Sequence, residues 1–257
     1  MKLSTVILAK NEEKNIIRAI ESVEFSDEIL VIDDFSIDKT AEIAKKMGVL
    51  VLQRRLEGDF SNQRNFGLQK SRGEWVLFLD ADEYLSKELQ REIGKVVNQA
   101  NGQKSAYHIK RRDYIWGREL LHGELRYARK QGFIRLVKKG SGKWFSPVHE
   151  VFVAELKIGK LKSFIDHYPH PTVGEFLSEI NFYSTLRAKE LLRKGESTSL
   201  LWILVYPKIK FIMNYFIKFG FLDGSAGFLY AFMMSFHSFL VRVKLYQYSK
   251  LDIRQSK

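Results

Sequence analysis

Two pairs of aspartates stand where a sheet protein would bind a ligand. Asp33-Asp34 closes the apolar run Glu28-Ile-Leu-Val-Ile-Asp33, and Asp80-Ala-Asp82 closes Trp75-Val-Leu-Phe-Leu79. Carboxylates gathered at strand ends are unfavourable unless a cation or a hydroxyl-rich ligand offsets them. In Asp-x-Asp one carboxylate can face a divalent ion while the other meets a ligand hydroxyl or a water. Oxygen donors of this kind suit Mg²⁺ or Mn²⁺, which bridge to phosphates. A plainer reading makes each aspartate the cap of the turn that follows; it accounts for one pair more readily than for two in one sheet. The chain has no cysteine, so disulfides and thiolate-metal sites are excluded and any metal rests on oxygen or imidazole.

The elements that must position these carboxylates follow from hydrophobic period. Ser4 to Leu8, Glu28 to Asp33, Val49 to Leu52 and Trp75 to Leu79 read as buried strands. Between them lie segments of helical spacing: Ile16 to Val23, Thr40 to Met47 with Gly48 as C-cap, Ser61 to Gln69, and Ser86 to Gln99. Apolar strands separated by helices predict an α/β fold with a parallel sheet covered on both faces. Such a sheet binds ligands at the carboxyl ends of its strands. After residue 104, short runs such as Ala106 to Ile109 and Phe133 to Val137 predict irregular strands and loops that complete the domain. The sequence is read as a catalytic domain over 1–195 and a C-terminal helical, membrane-associated region over 196–257.

That last region is apolar in a particular way. Ser199 to Phe219 is interrupted by Pro207, Lys208, Lys210 and Lys218, and Ser225 to Val241 is 17 residues without a formal charge. A spanning helix needs about 20 apolar residues. Aromatic residues beside lysine better suit a helix pair lying in the membrane interface, with a true span and a soluble helical contact as alternatives. The whole chain of 257 residues carries a net charge of +12, which implies an anionic partner. Between Lys104 and Lys143 twelve Lys/Arg face three acids. Met1 to Leu8 lacks the marks of a signal peptide, which predicts a cytoplasmic chain.

Four motifs in order carry a resemblance: Val6-Ile-Leu-Ala-Lys-Asn-Glu-Glu13, Ile29 to Asp34 with Ser36 and Thr40, Gln63-Arg-Asn65, and Gly73 to Glu83. The chain resembles the inverting glycosyltransferases of family 2, whose fold is the Rossmann-like GT-A domain. Within that family it is most similar to bacterial lipopolysaccharide-core β-glucosyltransferases. The likeness continues through Pro147-Val-His-Glu150, Asp166-His-Tyr168 and Gly220-Phe-Leu-Asp-Gly224.

The resemblance implies roles. Asp33 and Asp34 would hold the nucleoside, with Ser36 and Glu12 helping to fix it. Arg64 would approach the diphosphate, as a guanidinium's bidentate geometry favours. Asp80 would meet the donor sugar or ribose, and Asp82 would bind the metal, with His167 completing its shell. Inverting transfer needs a carboxylate base for the acceptor hydroxyl: Glu150 is the first candidate and Asp113 the second. His149 would orient the base or contact the diphosphate. Gln131 to Leu136 departs from the family run that would face the acceptor: it keeps Arg135 and Leu136 but not the acidic and amide positions.

The expected partners are a nucleotide sugar (UDP-glucose by resemblance), a lipid-linked anionic saccharide, and the anionic cytoplasmic leaflet of the inner membrane. A basic nucleic-acid-binding module would explain the charge and the tail. It would not explain two acidic clusters at strand ends, which repel phosphate unless metal is bound, so nucleic acid is not an expected partner. A phosphatase of the haloacid dehalogenase type would carry Asp-x-Asp on its first strand, not the fourth. A sugar nucleotidyltransferase would need a Gly-rich loop where Lys10 to Glu13 stand.

Overall fold

A computed structural model of the chain describes residues 1–99, 104–147, 150–169 and 171–251. Its first elements are β1 (Leu3–Ala9), α1 (Ile16–Glu21), β2 (Glu28–Asp33), α2 (Thr40–Lys46), β3 (Leu50–Gln53), α3 (Phe60–Lys70), β4 (Trp75–Asp80), β5 (Glu83–Leu85) and α4 (Lys87–Asn98). There follow β6 (Lys104–Ile115), β7 (Arg118–Leu120), α5 (Arg126–Lys130), β8 (Phe133–Lys138), β9 (Gly142–Phe145), β10 (Val151–Ala154) and β11 (Lys157–His167). Three long helices end the chain: α6 (Val173–Arg193), α7 (Leu200–Ile212) and α8 (Gly224–Leu251). The chain divides into two compact units, Met1–Arg112 with Tyr127–Tyr168, and Asp113–Arg126 with Pro169–Lys257.

In the first unit the sheet runs β3-β2-β1-β4-β8-β6-β11-β5. The four sequence-early strands β3, β2, β1 and β4 pair in parallel, as continuous apolar runs joined by helical crossovers require. The β4–β8, β8–β6 and β11–β5 pairs are antiparallel, so the sheet is mixed. One face buries Ile7, Leu77, Ile109, Leu136, Leu161 and Ile165 against Ile16 and Ile20 of α1 and Leu89 and Ile93 of α4. The other buries Val6, Ile32, Phe78, Ala106 and Val137 against Leu68 of α3 and Trp144 and Phe152 of the β9–β10 hairpin. Helix α3 lies close because residue 67 is glycine. A Cβ there would stand 2.6 Å from Val6 Cγ1 and 2.9 Å from Ile32 Cδ1, inside contact distance.

One irregularity matters for the site. Tyr107 pairs with Leu136 but His108 pairs with Ile134, so Arg135 is an extra residue on β8. A bulge of this kind re-aims a side chain.

In the second unit the end of β6 forms a hairpin with β7 through Trp116 and Gly117, both at positive φ (48° and 81°), the conformation that two-residue hairpin turns need. Helix α8 packs against α6 through Ala188, Leu191, Val241 and Leu245 and through Phe176, Ile180 and Met233. The interrupted apolar run is α7, with Pro207 inside it, followed by one turn of π-helix over Met213–Ile217. The uncharged run extends in both directions into the 28-residue α8. The buried Asp223 carboxylate accepts from the backbone N–H of Leu121 (3.1 Å) and His122 (2.8 Å) and lies 2.8 Å from His122 Nδ1.

Candidate active site

The site is assembled at the carboxyl ends of β1, β2 and β4. Behind β1 and β2 the loops are laced together by backbone groups. Asn11, at φ 55°, donates its N–H to Ser36 Oγ (2.8 Å), and its side-chain carbonyl accepts from Ile37 N (2.9 Å). Asp33 is fully buried; it accepts from Ser36 N and from Gln53 Nε2, each at 3.2 Å. Asp34 pairs with Lys10 Nζ at 2.6 Å and accepts from Leu56 N at 2.9 Å. Glu12 accepts from Asn15 Nδ2 (2.7 Å), and its N–H donates to Thr40 Oγ1 (2.7 Å). The acidic pair and Ser36 thus stand in one pair of loops.

Gln63-Arg-Asn65 on α3 has a task for each residue. Asp59 caps the helix by accepting from Asn62 N. Gln63 Nε2 donates to Arg54 O at 3.0 Å. Asn65 both donates to Trp144 O (2.8 Å) and accepts from Trp144 N (3.0 Å), holding β9 against the helix. Arg64, 3% exposed, reaches the site between them. Its Nε stands 2.7 Å from Glu150 Oε1 and its Nη2 3.2 Å from Asp80 Oδ1. An exposed helix face is therefore excluded for this motif.

Arg135 approaches Asp80 from the other side. Its Nη2 lies 2.8 Å from Asp80 Oδ2 and 2.8 Å from Glu83 Oε1. Arg111 Nη1 reaches the same Glu83 oxygen at 3.3 Å, and Glu83 Oε2 accepts from Asp80 N at 3.1 Å. Carboxylates and guanidiniums therefore alternate: Glu150, Arg64, Asp80, Arg135, Glu83, Arg111. Burial opposes ionisation of Asp80, but the charges of Arg135 and then Arg64 overcome it and hold the carboxyl well below the usual carboxylate range. Arg64 Nη1 and Arg135 Nη1 are buried without a hydrogen-bond partner among the described residues. Buried unpaired donors are costly, and an anionic oxygen would satisfy them.

Asp82 faces another neighbour. Its Oδ2 lies 3.0 Å from His167 Nε2, and its carbonyl accepts from Tyr168 N at 3.1 Å. Burial again opposes ionisation, and the His167 charge reverses the balance, lowering the Asp82 pKa. Among the described residues no group of three or more His, Asp or Glu forms a metal cage. Asp82 and His167 offer one oxygen and one imidazole nitrogen, as suits an ion that keeps its remaining positions for phosphate and water. A carboxylate oxygen and an imidazole nitrogen are donor types that a divalent metal accepts.

Of the base candidates, Glu150 is beside Arg64 as above. Asp113 is buried in the second unit, opposite Leu120 in the β6–β7 hairpin. His149 lies outside the described residues. Arg135, read in sequence as acceptor-facing, is 5% exposed and turned into the carboxylate network. Glu83 and Arg111 are members of the network that no motif role points to in the sequence. Glu83 directly follows the Asp-x-Asp triplet, which was the available signal; Arg111 stands in a run of cations where nothing distinguishes it.

The sequence model for glycosyl transferase family 2 matches residues 4–150, more than half of the chain and every member of the charge network; His167 lies beyond the match. The chain belongs to glycosyltransferase family 2. It is 32% identical over 260 residues to an uncharacterised glycosyltransferase of Rickettsia typhi, covering 96% of this chain and 88% of the relative. It is 28% identical over 262 residues to the lipopolysaccharide core biosynthesis glycosyltransferase LpsC of Rhizobium meliloti, covering 99% and 95%. The mannosyltransferase PcManGT of Pyrobaculum calidifontis, solved with GDP-Man and Mn²⁺, has a TM-score of 0.57 at 11% identity, over 95% of this chain and 86% of its own. S. aureus TarS 1–349 has a TM-score of 0.50 at 16% identity, over 98% and 92%. These structures confirm the GT-A fold. As a family 2 glycosyltransferase, the chain is an enzyme whose acidic strand ends now have their positions.

Proposed function

We propose that this enzyme moves a hexose, glucose first among candidates, from a UDP-sugar to a lipid-linked anionic saccharide with inversion at the anomeric carbon. The acceptor would be lipopolysaccharide inner core or a related surface glycan; another envelope glycan or lipid carrier is the alternative within the class. The relative LpsC carries a lipopolysaccharide-core name, and PcManGT was solved with a nucleotide sugar and Mn²⁺; both support the reading. The observation that carries it is Arg64, a buried guanidinium bridging Glu150 at 2.7 Å and Asp80 at 3.2 Å.

Asp33, Asp34, Ser36 and Glu12 would bind the nucleoside, and Asp80 the donor sugar or ribose. Arg64 would take diphosphate oxygens, whose two charges compete for the guanidinium that Glu150 now holds. Glu150, relieved of that contact, would accept the proton of the acceptor hydroxyl as its oxygen attacks the anomeric carbon. The carbon–oxygen bond to the diphosphate breaks, and the diphosphate leaves with the electron pair. Asp82 and His167 would hold Mg²⁺ or Mn²⁺, which when bound offsets charge on the leaving diphosphate. The transition state would be oxocarbenium-like, as in glycoside hydrolysis.

The enzyme would work at the cytoplasmic face of the inner membrane. Leu200–Ile217 and Gly220–Lys250 are each long and apolar enough to cross a bilayer. Lys208, Lys210 and Lys218 interrupt the first, and Trp202, Phe216 and Phe219 are about half exposed, a pattern of interfacial attachment.

The test is hydrolysis of a panel of nucleotide sugars with Mn²⁺, with Mg²⁺ and with chelator. One donor should turn over with metal, and Asp82→Ala should abolish that turnover. Absence of turnover together with absence of calorimetric binding of any nucleotide overturns the proposal.

A further inference from the structure

The hairpin that leads into and out of Glu150 has one face packed and one face bare. Strands β9 and β10 pair with Phe145 opposite Val151, Trp144 opposite Phe152, and Lys143 opposite Val153. Trp144 and Phe152 turn inward: both are buried, their ring centroids lie 5.4 Å apart, and Trp144 meets Phe78 at 5.5 Å. Asn65 clasps both the N–H and the carbonyl of Trp144, which fixes the hairpin to α3. Successive side chains of a strand point to opposite faces, so Lys143, Phe145, Val151 and Val153 point outward together. Phe145 is 53% exposed and each valine 56%. Glu150, directly before Val151, reaches Arg64 on the packed side, where that guanidinium lies over the Phe78 and Trp144 rings.

An antiparallel pair with one face on the core ordinarily keeps polar residues on the other. Here three of the four outward residues are apolar and the fourth is lysine. They adjoin one another, so they form a patch and not a scatter of single side chains. The turn after β10 adds exposed Leu156 and Lys157. The cations decide what covers the patch. Protein interfaces are depleted of lysine. A two-fold contact between copies would bring each Lys143 toward that of the other copy, in a chain of net charge +12. An anionic lipid surface instead takes apolar side chains below its headgroups and lysines among them.

We propose that the outward face of the β9–β10 hairpin docks on an anionic lipid surface, with Phe145, Val151 and Val153 inserted and Lys143 at the headgroups. Three apolar side chains give a shallow contact that orients the first unit and does not anchor the chain. Glu150 then stands just behind the docked face, where the hydroxyl of a lipid-linked saccharide arrives along the bilayer. Only this last placement rests on the transferase reading; the lipid contact does not.

The chain has no cysteine, so Phe145→Cys and Val153→Cys each give the full-length protein a single thiol for an environment-sensitive fluorophore. Glu21→Cys, exposed at the end of α1 over the opposite face of the sheet, is the control. The probe is a vesicle of phosphatidylglycerol and phosphatidylcholine. Labels at 145 and 153 should move to shorter wavelength and be quenched by brominated lipid, and the label at 21 should do neither. Lys143→Gln added to Val153→Cys should raise the lipid concentration at half-shift about fivefold, the effect of one basic residue near the surface. Silent labels at both hairpin positions overturn the proposal, as do equal shifts at 145, 153 and 21, which mean indiscriminate adsorption. A shift without vesicles that grows with protein concentration also overturns it and assigns the face to a second copy. The placement of Glu150 is read separately. Phe145→Ser with Val153→Thr should raise KM for a lipid-linked acceptor about tenfold, with kcat and the KM for the delipidated saccharide unchanged. Labels that dock beside an unchanged acceptor KM sink that placement alone. Labels that dock on a protein that turns over no donor sink the transferase reading alone.

Discussion

At the scale of residues, the site is a row of alternating charges whose members do not contribute equally. Glu150 is partly exposed and meets Arg64 alone among the ion pairs described, so neutralising it breaks one ion pair while a glutamine keeps its shape. Glu150→Gln should lower kcat for transfer by about 10²–10⁴-fold, the range of general-base contributions, while calorimetric donor binding stays near wild type; retention of the wild-type rate would place the base elsewhere, with Asp113 next. Arg135 is different in kind. It is buried between Asp80 and Glu83, and removing one partner of a buried pair costs about 3–5 kcal/mol. Arg135→Met should therefore lose stability in urea unfolding as well as activity, and Arg135→Lys, which keeps the charge but not the fork, should recover part of the first.

At the scale of elements, the parallel half of the sheet depends on how β1, β2 and the turn before β4 are tied. Glu28, at the start of β2, accepts from Ser4 Oγ (2.5 Å), Arg72 N (2.8 Å) and Arg72 Nε (2.6 Å), and Ser4 Oγ accepts from Gly73 N (2.7 Å). No side chain fits at residue 73: a Cβ would stand 2.5 Å from Ser4 N. Burial raises the Glu28 pKa, but the bonds from Ser4 and Arg72 outweigh it, so the folded value lies below the ordinary one. A depressed carboxyl stabilises the fold above its unfolded pKa and loses that contribution as pH falls through the folded value. Thermal or urea unfolding should accordingly show stability falling below about pH 4.5, with a shallower slope in Glu28→Gln. That variant should also cost about 1–3 kcal/mol at neutral pH. An unchanged acid slope would exclude Glu28 as its source.

At the scale of the whole molecule, the exposed apolar surface of the second unit is concentrated on its last helices. The second unit exposes Leu200, Leu201 and Leu204 on α7, each at 62–67%, while α8 is held by α6. Deleting the tail from residue 199 would strip α6 of its partner, so substitution is the cleaner test. Leu201→Asp with Leu204→Asp should move the protein from the membrane fraction to the soluble one without loss of helix content by circular dichroism. Unchanged partitioning would remove α7 as the attachment surface.

The amino-acid sequence by itself determined the first half of the sheet, because buried parallel strands are continuous apolar runs and their crossover helices keep a 3.6-residue period. It also determined the acidic strand ends, since Asp33-Asp34 and Asp80-Ala-Asp82 are contiguous and directly follow those runs. Both are local signals. Tertiary structure alone decided that Arg64 faces Glu150, 86 residues away, and that Arg135 turns inward. The first depends on Gly67 letting α3 settle on Val6 and on Asn65 clasping Trp144; the second depends on one extra residue in the β8–β6 register. A bulge leaves no mark on hydrophobic period, and an ion pair between distant segments exists only once the sheet has ordered β8 beside β4.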